Sequence, residues 1–183
     1  FVNMKIEDVR NDVEKSHKDY SKELGLVPDL YAHTFGETSE AIINVLRAFN
    51  YKIIFGQHSG VISKNESINY FPRFSLNENY GKLDRFKNIL KSRAFNIKEY
   101  TPKTILLRKE NNPTNLKITF EEDVKQINCF DNSGGKWKNT KINYLNNQTI
   151  ELVFNEPFQK RRGRLNCTMP TKEKLIKWFG YQY

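Results

Sequence analysis

The sequence predicts an α/β unit over residues 1–110, followed by a small all-β unit over residues 111–183. Three observations indicate this division. Helical and strand-like segments alternate through the first part, the segment NNPTN is typical of a turn or linker, and short strands separated by Asn, Gly and Pro follow it. We expect the second unit to be antiparallel and β-sandwich-like.

The first element is an amphipathic helix. Apolar side chains recur at three- and four-residue spacing through residues 6–24, and Gly25 fits a C-cap. A short strand at residues 30–32 follows this helix.

The next elements continue the alternation. Thr38 or Ser39 can cap a second helix, because a hydroxyl at that position accepts a hydrogen bond from the first helical turn. A strand at 51–55 and a third helix at 82–92 follow. Helices and strands in this order predict a parallel sheet or barrel with right-handed crossovers.

A few βα units leave this sheet incomplete. Two or three of them cannot close a barrel, and a parallel sheet is normally covered on both faces and paired at its edges. Since the sequence also starts abruptly at Phe1, we expect the sheet to be completed by a segment absent from this chain.

Short strands are predicted throughout the second unit, at 116–120, 124–130, 142–145, 150–154 and 165–168, with a last strand in KLIKWFGYQY. The two cysteines, Cys129 and Cys167, both fall in these strands. They are either two buried thiols or a cross-strand disulfide, and we prefer the disulfide, which requires an oxidising compartment.

The chain is basic, with 30 Lys and Arg against 21 Asp and Glu, but the charge is spread along it. Its densest cluster, KRRGR at 160–164, falls in a predicted hairpin turn. No basic helix with interleaved aromatic residues accompanies this cluster, so we predict a solvated surface and no nucleic-acid partner. No apolar run approaches the ~18 residues of a membrane span.

Three polar loops follow predicted strands, at 33–37, 56–60 and 69–77, where α/β proteins place ligands. In GQHSG, His58 is either a general acid or a histidine hydrogen-bonded in a turn. Arg73 either holds an anionic or carbonyl group or pairs with a surface carboxylate. His17, His33 and His58 lie far apart and show no metal-ligand spacing.

Several phrases in these loops and around the cysteines carry a resemblance. They are VRNDVEKSHKDYSKELG, PDLYAHTFGE, FNYKIIFGQHSG and NYFPRFSLNENYGKLDRFK, followed by INCFDNSGGKW, GRLNCTMP and WFGYQY. In this order and spacing the chain resembles the NodB-type polysaccharide deacetylases, in the branch with a small β domain after the catalytic barrel.

The resemblance implies a partial (β/α) barrel of the NodB type followed by that β domain. Such enzymes remove N-acetyl groups from amino sugars with a divalent metal, often zinc. The metal is held in motifs of the TFDDG and HSxxH kind, and this chain contains neither. We therefore expect no metal ligands and no bound cofactor in this chain, which would be the carboxy-terminal portion of the enzyme and inactive alone.

The resemblance also implies roles for individual residues. His58 and Arg73 are the catalytic candidates, the first as a proton donor and the second as an orienting group. The candidates for binding the sugar are His33, Phe35, Gln57 and Phe74. Cys129 and Cys167 match paired positions of the β domain, which strengthens the disulfide prediction.

These implications give one functional hypothesis and one rival. The hypothesis is a portion of a periplasmic, envelope or secreted deacetylase that acts on an N-acetylated polysaccharide together with the missing part of its barrel. The rival is a carbohydrate-binding or assembly module without chemistry, in which aromatic side chains such as Trp137 and Trp178 stack on sugar rings.

Overall fold

A computed structural model of the chain describes residues 3–64 and 70–183, so that position 69 of the predicted loop at 69–77 lies outside the described residues. The structure mixes helices with largely antiparallel sheets. Its contacts form two compact units. The first comprises Phe1–Gly56 and Ser67–Phe71, and the second comprises Gln57–Glu66 and Pro72–Tyr183.

The first unit alternates helices and strands as predicted, in the order α1 (Ile6–Leu24), β1 (Leu30–Ala32), α2 (Glu40–Arg47) and β2 (Ile53–Phe55). Strands β1 and β2 pair in parallel, with Tyr31 opposite Ile54. The predicted parallel pairing is therefore confirmed at the level of one βαβ unit. The partial NodB-type barrel stays a prediction.

The C-terminus of α1 and the N-terminus of α2 have the caps that the sequence predicts. Gly25 has φ 68°, a left-handed conformation that suits glycine, and its N–H donates to the Ser21 carbonyl at 2.9 Å. The Ser39 hydroxyl accepts a hydrogen bond from the Ile42 N–H at 3.3 Å, so Ser39 rather than Thr38 caps α2.

The core of the first unit is small and lies between the two helices and the strand pair. Its buried members come from α1, α2, β2 and the segment leading into β2, and they are Val9, Val13, Ile42, Leu46, Tyr51 and Ile54. The helical spacing of these residues is what brings one face of each helix into the core.

The second unit contains one α-helix and nine strands among the described residues. They are α3 (Leu83–Leu90), β3 (Ser92–Arg93), β4 (Ile97–Thr101), β5 (Asn115–Phe120), β6 (Asn128–Asp131), β7 (Lys138–Asn139), β8 (Lys141–Tyr144), β9 (Thr149–Val153), β10 (Arg164–Pro170) and β11 (Ile176–Gln182).

These strands form two sheets. One has the order β3-β11-β10-β6-β7 and is antiparallel except for the β3–β11 pair; the other has the order β4-β5-β9-β8 and is antiparallel throughout. Alternate residues of β5 and β10 are buried, as a half-buried strand requires. Inward side chains of both sheets share one apolar core, so the predicted antiparallel, sandwich-like arrangement is confirmed.

The disulfide predicted between Cys129 and Cys167 is confirmed. The two residues lie directly opposite each other on β6 and β10, with Cα atoms 4.1 Å apart, and both are buried in the core. A disulfide persists in an oxidising compartment, which is consistent with an envelope or secreted location.

Asp131, at the end of β6, is a buried carboxylate that organises the turn after it. Its Oδ1 accepts from the Ser133 N–H at 2.9 Å and from the Ser133 hydroxyl at 2.5 Å, while its Oδ2 accepts from the Thr140 hydroxyl at 2.6 Å. Three hydrogen bonds replace the water that this carboxylate loses on burial.

The structure differs from two sequence predictions on strands. The strand predicted at 124–130 begins only at Asn128, because Gln126 has φ 57° and interrupts the extended chain. Strand β4 was not predicted, and it pairs with β5 across the predicted division between residues 110 and 111. That division therefore falls inside the second compact unit.

Along the described residues, none of the helices is both long enough and apolar enough to cross a membrane.

Candidate functional site

The GQHSG turn is held against strand β11 by close backbone contact. A Cβ atom added to Gly180 would lie 1.8 Å from the Ser59 carbonyl oxygen, so only glycine allows this approach. The carbonyl of His58 accepts from the Arg73 N–H at 2.9 Å on the other side of the turn. These two contacts hold the backbone of the turn at His58 and Ser59.

His58 is buried in this turn, with 4% of its surface exposed. Burial, and secondly the positive charge of Arg164, lower the pKa of its imidazole to about 3. A general acid must carry its extra proton at the working pH, and these surroundings favour the neutral ring instead. The predicted role of His58 as a proton donor receives no support from this environment.

A pocket of about 220 Å³ opens beside the turn. Its described lining residues all belong to the second unit. They come from the turn, from α3 and the stretch leading into it, from the segment before β7, and from β10 and β11. They include Gln57, His58, Tyr80, Arg85, Asn166 and Trp178. An apolar cavity of roughly 150 Å³ accepts a benzene ring, so this pocket has room for one substituted six-membered ring.

Aromatic side chains form much of the wall. Trp178 is half-buried; its indole N–H donates to the Asn166 Oδ1 at 3.4 Å, and the ring of Phe74 meets it edge-on at 5.0 Å. Trp137 and Tyr80 also line the pocket, and about half of each side chain is exposed. The pocket therefore offers one anchored aromatic ring and two more accessible ones.

Arg85 of α3 is an anchored cation of the pocket wall. Its Nη1 donates to the carbonyls of Ser75 and Tyr80 at 2.9 and 3.0 Å. Its guanidinium also lies over the Tyr80 ring at 5.3 Å and near the Phe74 ring at 6.0 Å. These contacts fix the position of the guanidinium at the pocket wall.

Of the predicted site residues, four lie in the second unit. Gln57 and His58 line the pocket, and the ring of Phe74 packs edge-on against Trp178. Arg73 contributes its backbone to the turn, but its exposed side chain is not part of the pocket lining.

The other two predicted residues, His33 and Phe35, lie in the first unit. His33 is buried, and the rings of Tyr31 and Tyr70 each lie 5.6 Å from its imidazole. Phe35 has φ 56° and is half exposed. The Tyr70 hydroxyl donates to the Gly36 carbonyl at 2.6 Å and so closes the loop over His33.

Several pocket residues were missed by sequence reasoning. Tyr80 and Arg85 precede or belong to α3, and Arg164 and Asn166 lie on β10. No spacing in the sequence links these positions, since they meet only after the sheets form. Arg164 belongs to the basic cluster KRRGR, for which the sequence predicts a solvated surface, whereas in the structure it is half-buried and lines the pocket.

Within residues 3–64 and 70–183, no three His, Cys, Asp or Glu side chains come together in a way that could hold a metal ion.

Comparisons with known proteins do not identify a family. No family model matches the chain, and no curated protein matches it. Among solved structures, the chain is similar to selenomethionine PcoC, a copper resistance protein from Escherichia coli, with 10% identity, a TM-score of 0.28, and coverage of 39% of this chain and 81% of that one.

A second structure is the archaellum periplasmic stator protein complex FlaF and FlaG from Sulfolobus acidocaldarius. The identity is 7% and the TM-score is 0.27, over 62% of this chain and 100% of that one. Both similarities are too weak to carry a conclusion about fold or function.

Proposed function

We propose that this chain recognises a glycan through the pocket of its second unit, as the carboxy-terminal portion of a polysaccharide deacetylase. The observation that carries the proposal is the pocket wall, where Trp178, Trp137 and Tyr80 stand beside amide and guanidinium donors. Its ligand would be one ring of an N-acetylated polysaccharide.

The chemistry of a sugar ring matches this wall. A pyranose has apolar C–H faces and a polar rim of hydroxyl groups, so it needs flat aromatic surfaces and a few fixed polar partners. Ligand sites of this kind combine aromatic walls with a small number of placed hydrogen-bonding groups. The indole of Trp178 supplies a fixed surface, because Phe74 and Asn166 hold it from two sides.

The deacetylase part of the proposal is supported by the resemblance of the loop and cysteine phrases, and by the presence of the disulfide expected from it. The described residues do not offer a zinc site. We therefore derive no hydrolytic step for this chain. The proposal assigns the metal to the part of the enzyme that carries the missing motifs.

Calorimetric titration with chitin oligosaccharides, which are N-acetylated, tests the glycan site. Trp178→Ala should weaken binding at least tenfold, a typical loss for an aromatic anchor. Phe130→Ala is the matched control, because Phe130 is an exposed aromatic on β6 that does not line the pocket. Equal affinities of the wild type and the Trp178 variant would reject the site.

The catalytic part needs a different assay. The longest natural form of the protein, supplied with zinc and an N-acetylated glycan, should release acetate. Glycan binding without acetate release would instead favour the rival function, a carbohydrate-binding or assembly module, which the aromatic wall supports equally well.

A further inference from the structure

Two amide side chains of the pocket can donate to a ligand. The Gln57 Oε1 accepts from the Arg162 Nη1 at 3.3 Å, and the Asn166 Oδ1 accepts from the Trp178 indole at 3.4 Å. Each amide oxygen thus accepts one hydrogen bond within the protein, and each NH₂ group can donate to a ligand. These NH₂ groups favour a ligand that offers acceptors.

Arg85 adds charged donors to this set. Both hydrogen bonds to the carbonyls of Ser75 and Tyr80 use Nη1, and Nη2 and Nε make no hydrogen bond among the described residues. Three N–H groups remain on a guanidinium that is already fixed in place. Little entropy is then lost when they bind a planar or tetrahedral anion.

The charged side chains in the described lining of the pocket are cations. Arg85 and Arg164 line the pocket, and none of its described lining residues is a carboxylate. The buried imidazole of His58 is neutral next to Arg164. A cationic ligand would meet the like charge of Arg85 here, whereas an anionic ligand would meet an opposite charge.

From this arrangement we infer that the pocket selects a sugar ring bearing a negatively charged substituent, a carboxylate or a sulfate, which the guanidinium group of Arg85 binds. The inference rests on the proposed glycan site and specifies its ligand class. It also means that the pocket disfavours a deacetylated, cationic amino sugar relative to its N-acetylated form.

Three oligosaccharides of equal length test the charge preference on the wild-type protein by calorimetry. Hyaluronan oligosaccharides contain glucuronate and N-acetylglucosamine, chitin oligosaccharides are neutral, and chitosan oligosaccharides are cationic. We expect hyaluronan to bind at least tenfold more tightly than chitin at low salt, and chitosan most weakly. Added salt should reduce the advantage of hyaluronan but not the affinity for chitin.

Variants at Arg85 assign the preference to its side chain. Arg85→Gln should lose at least tenfold in hyaluronan affinity, and its ratio of hyaluronan affinity to chitin affinity should approach one, consistent with the loss of one charge-assisted contact. Arg85→Lys keeps the charge and should keep part of the preference. An unchanged midpoint of urea unfolding, followed by tryptophan fluorescence, shows that the second unit is still folded in each variant.

The outcomes separate the two proposals. Equal affinity for hyaluronan and chitin, or tighter binding of chitosan, would overturn the inference and leave the glycan site standing. Binding of none of the three would overturn the glycan site and the inference with it. A sulfated chitin oligosaccharide identifies the anion: binding as tight as that of hyaluronan supports recognition of charge alone, and weaker binding supports recognition of the carboxylate.

Discussion

Removal of the disulfide should destabilise the second unit by about 4 kcal/mol. Cys129 and Cys167 are separated by 38 positions. A disulfide lowers the conformational entropy of the unfolded chain, which is worth ~3 kcal/mol for a 15-residue loop and ~4.7 kcal/mol for a 100-residue loop, and this loop lies between them. Domains of this kind are stable by only about 5–15 kcal/mol, so the loss is a large fraction of the total.

The structure also provides the assay. The two tryptophans of the chain, Trp137 and Trp178, both lie in the second unit, so their fluorescence follows the unfolding of that unit. With a slope of about 2 kcal/mol per molar urea, a loss of about 4 kcal/mol lowers the unfolding midpoint by about 2 M. The double variant Cys129→Ala/Cys167→Ala and the reduced wild type should both show this shift.

The comparison between those two samples isolates the cause. A reductant should shift the wild type and leave the double variant unchanged. If complete reduction, verified by mass, moves the wild-type midpoint by less than about 0.5 M urea, the loop-closure reasoning is refuted. A shift in the variant alone would point to lost packing at the buried sulfur atoms instead.

Three further predictions concern single residues of the second unit. The pKa of His58 is about 3 in the folded state and about 6.5 in an unfolded chain, so the free energy of unfolding is unaffected above pH 6.5 and falls below it. Lowering the pH from 6.5 to 5 should therefore cost the wild type about 2 kcal/mol. Urea titrations at both pH values should show a smaller loss in His58→Asn. An equal loss in both proteins would contradict the burial argument. Gly180→Ala places a Cβ atom against the Ser59 carbonyl, and we expect a destabilisation of about 1–3 kcal/mol together with at least tenfold weaker binding of chitin oligosaccharides; retained binding would show that the turn does not shape the pocket. Asp131→Asn replaces one accepting oxygen by a donor within a buried network, and thermal or urea unfolding should report a loss of about 2–3 kcal/mol, whereas a loss below about 0.5 kcal/mol would show that the turn can rearrange.

Local chemistry made much of the fold predictable. The helix ends at Gly25 and Ser39 follow from backbone conformation and hydroxyl capping, which act within a few residues. The strands around Leu116 and Leu165 were predictable because alternation of apolar and polar residues reports one buried face.

Strand β4 shows where this reasoning stops. Its register shifts between Ile97 and Glu99, so the side chains do not alternate regularly and the sequence carries no period-2 signal. The strand exists because β5 supplies a hydrogen-bonding edge. Such a partner cannot be read from the residues of β4 themselves.

The candidate site was predictable only in part. The GQHSG turn was identified because glycines and polar side chains follow an apolar strand, but the sequence could not give the state of His58. That state depends on burial and on Arg164, which is distant in the chain and becomes a neighbour only through β10.

The sequence by itself therefore determined the capped helices and the alternating strands, because each depends on residues that are close in the chain or on simple periodicity. The cysteine pair was a preference that only the pairing of β6 with β10 decided, since the two residues lie 38 positions apart. Only the tertiary structure decided that Trp178, Arg85 and Gln57 surround one pocket. The physical reason is that the pocket wall is assembled from two strands, a turn and a helix, and their mutual positions are set by sheet pairing and by the shared core rather than by local propensity.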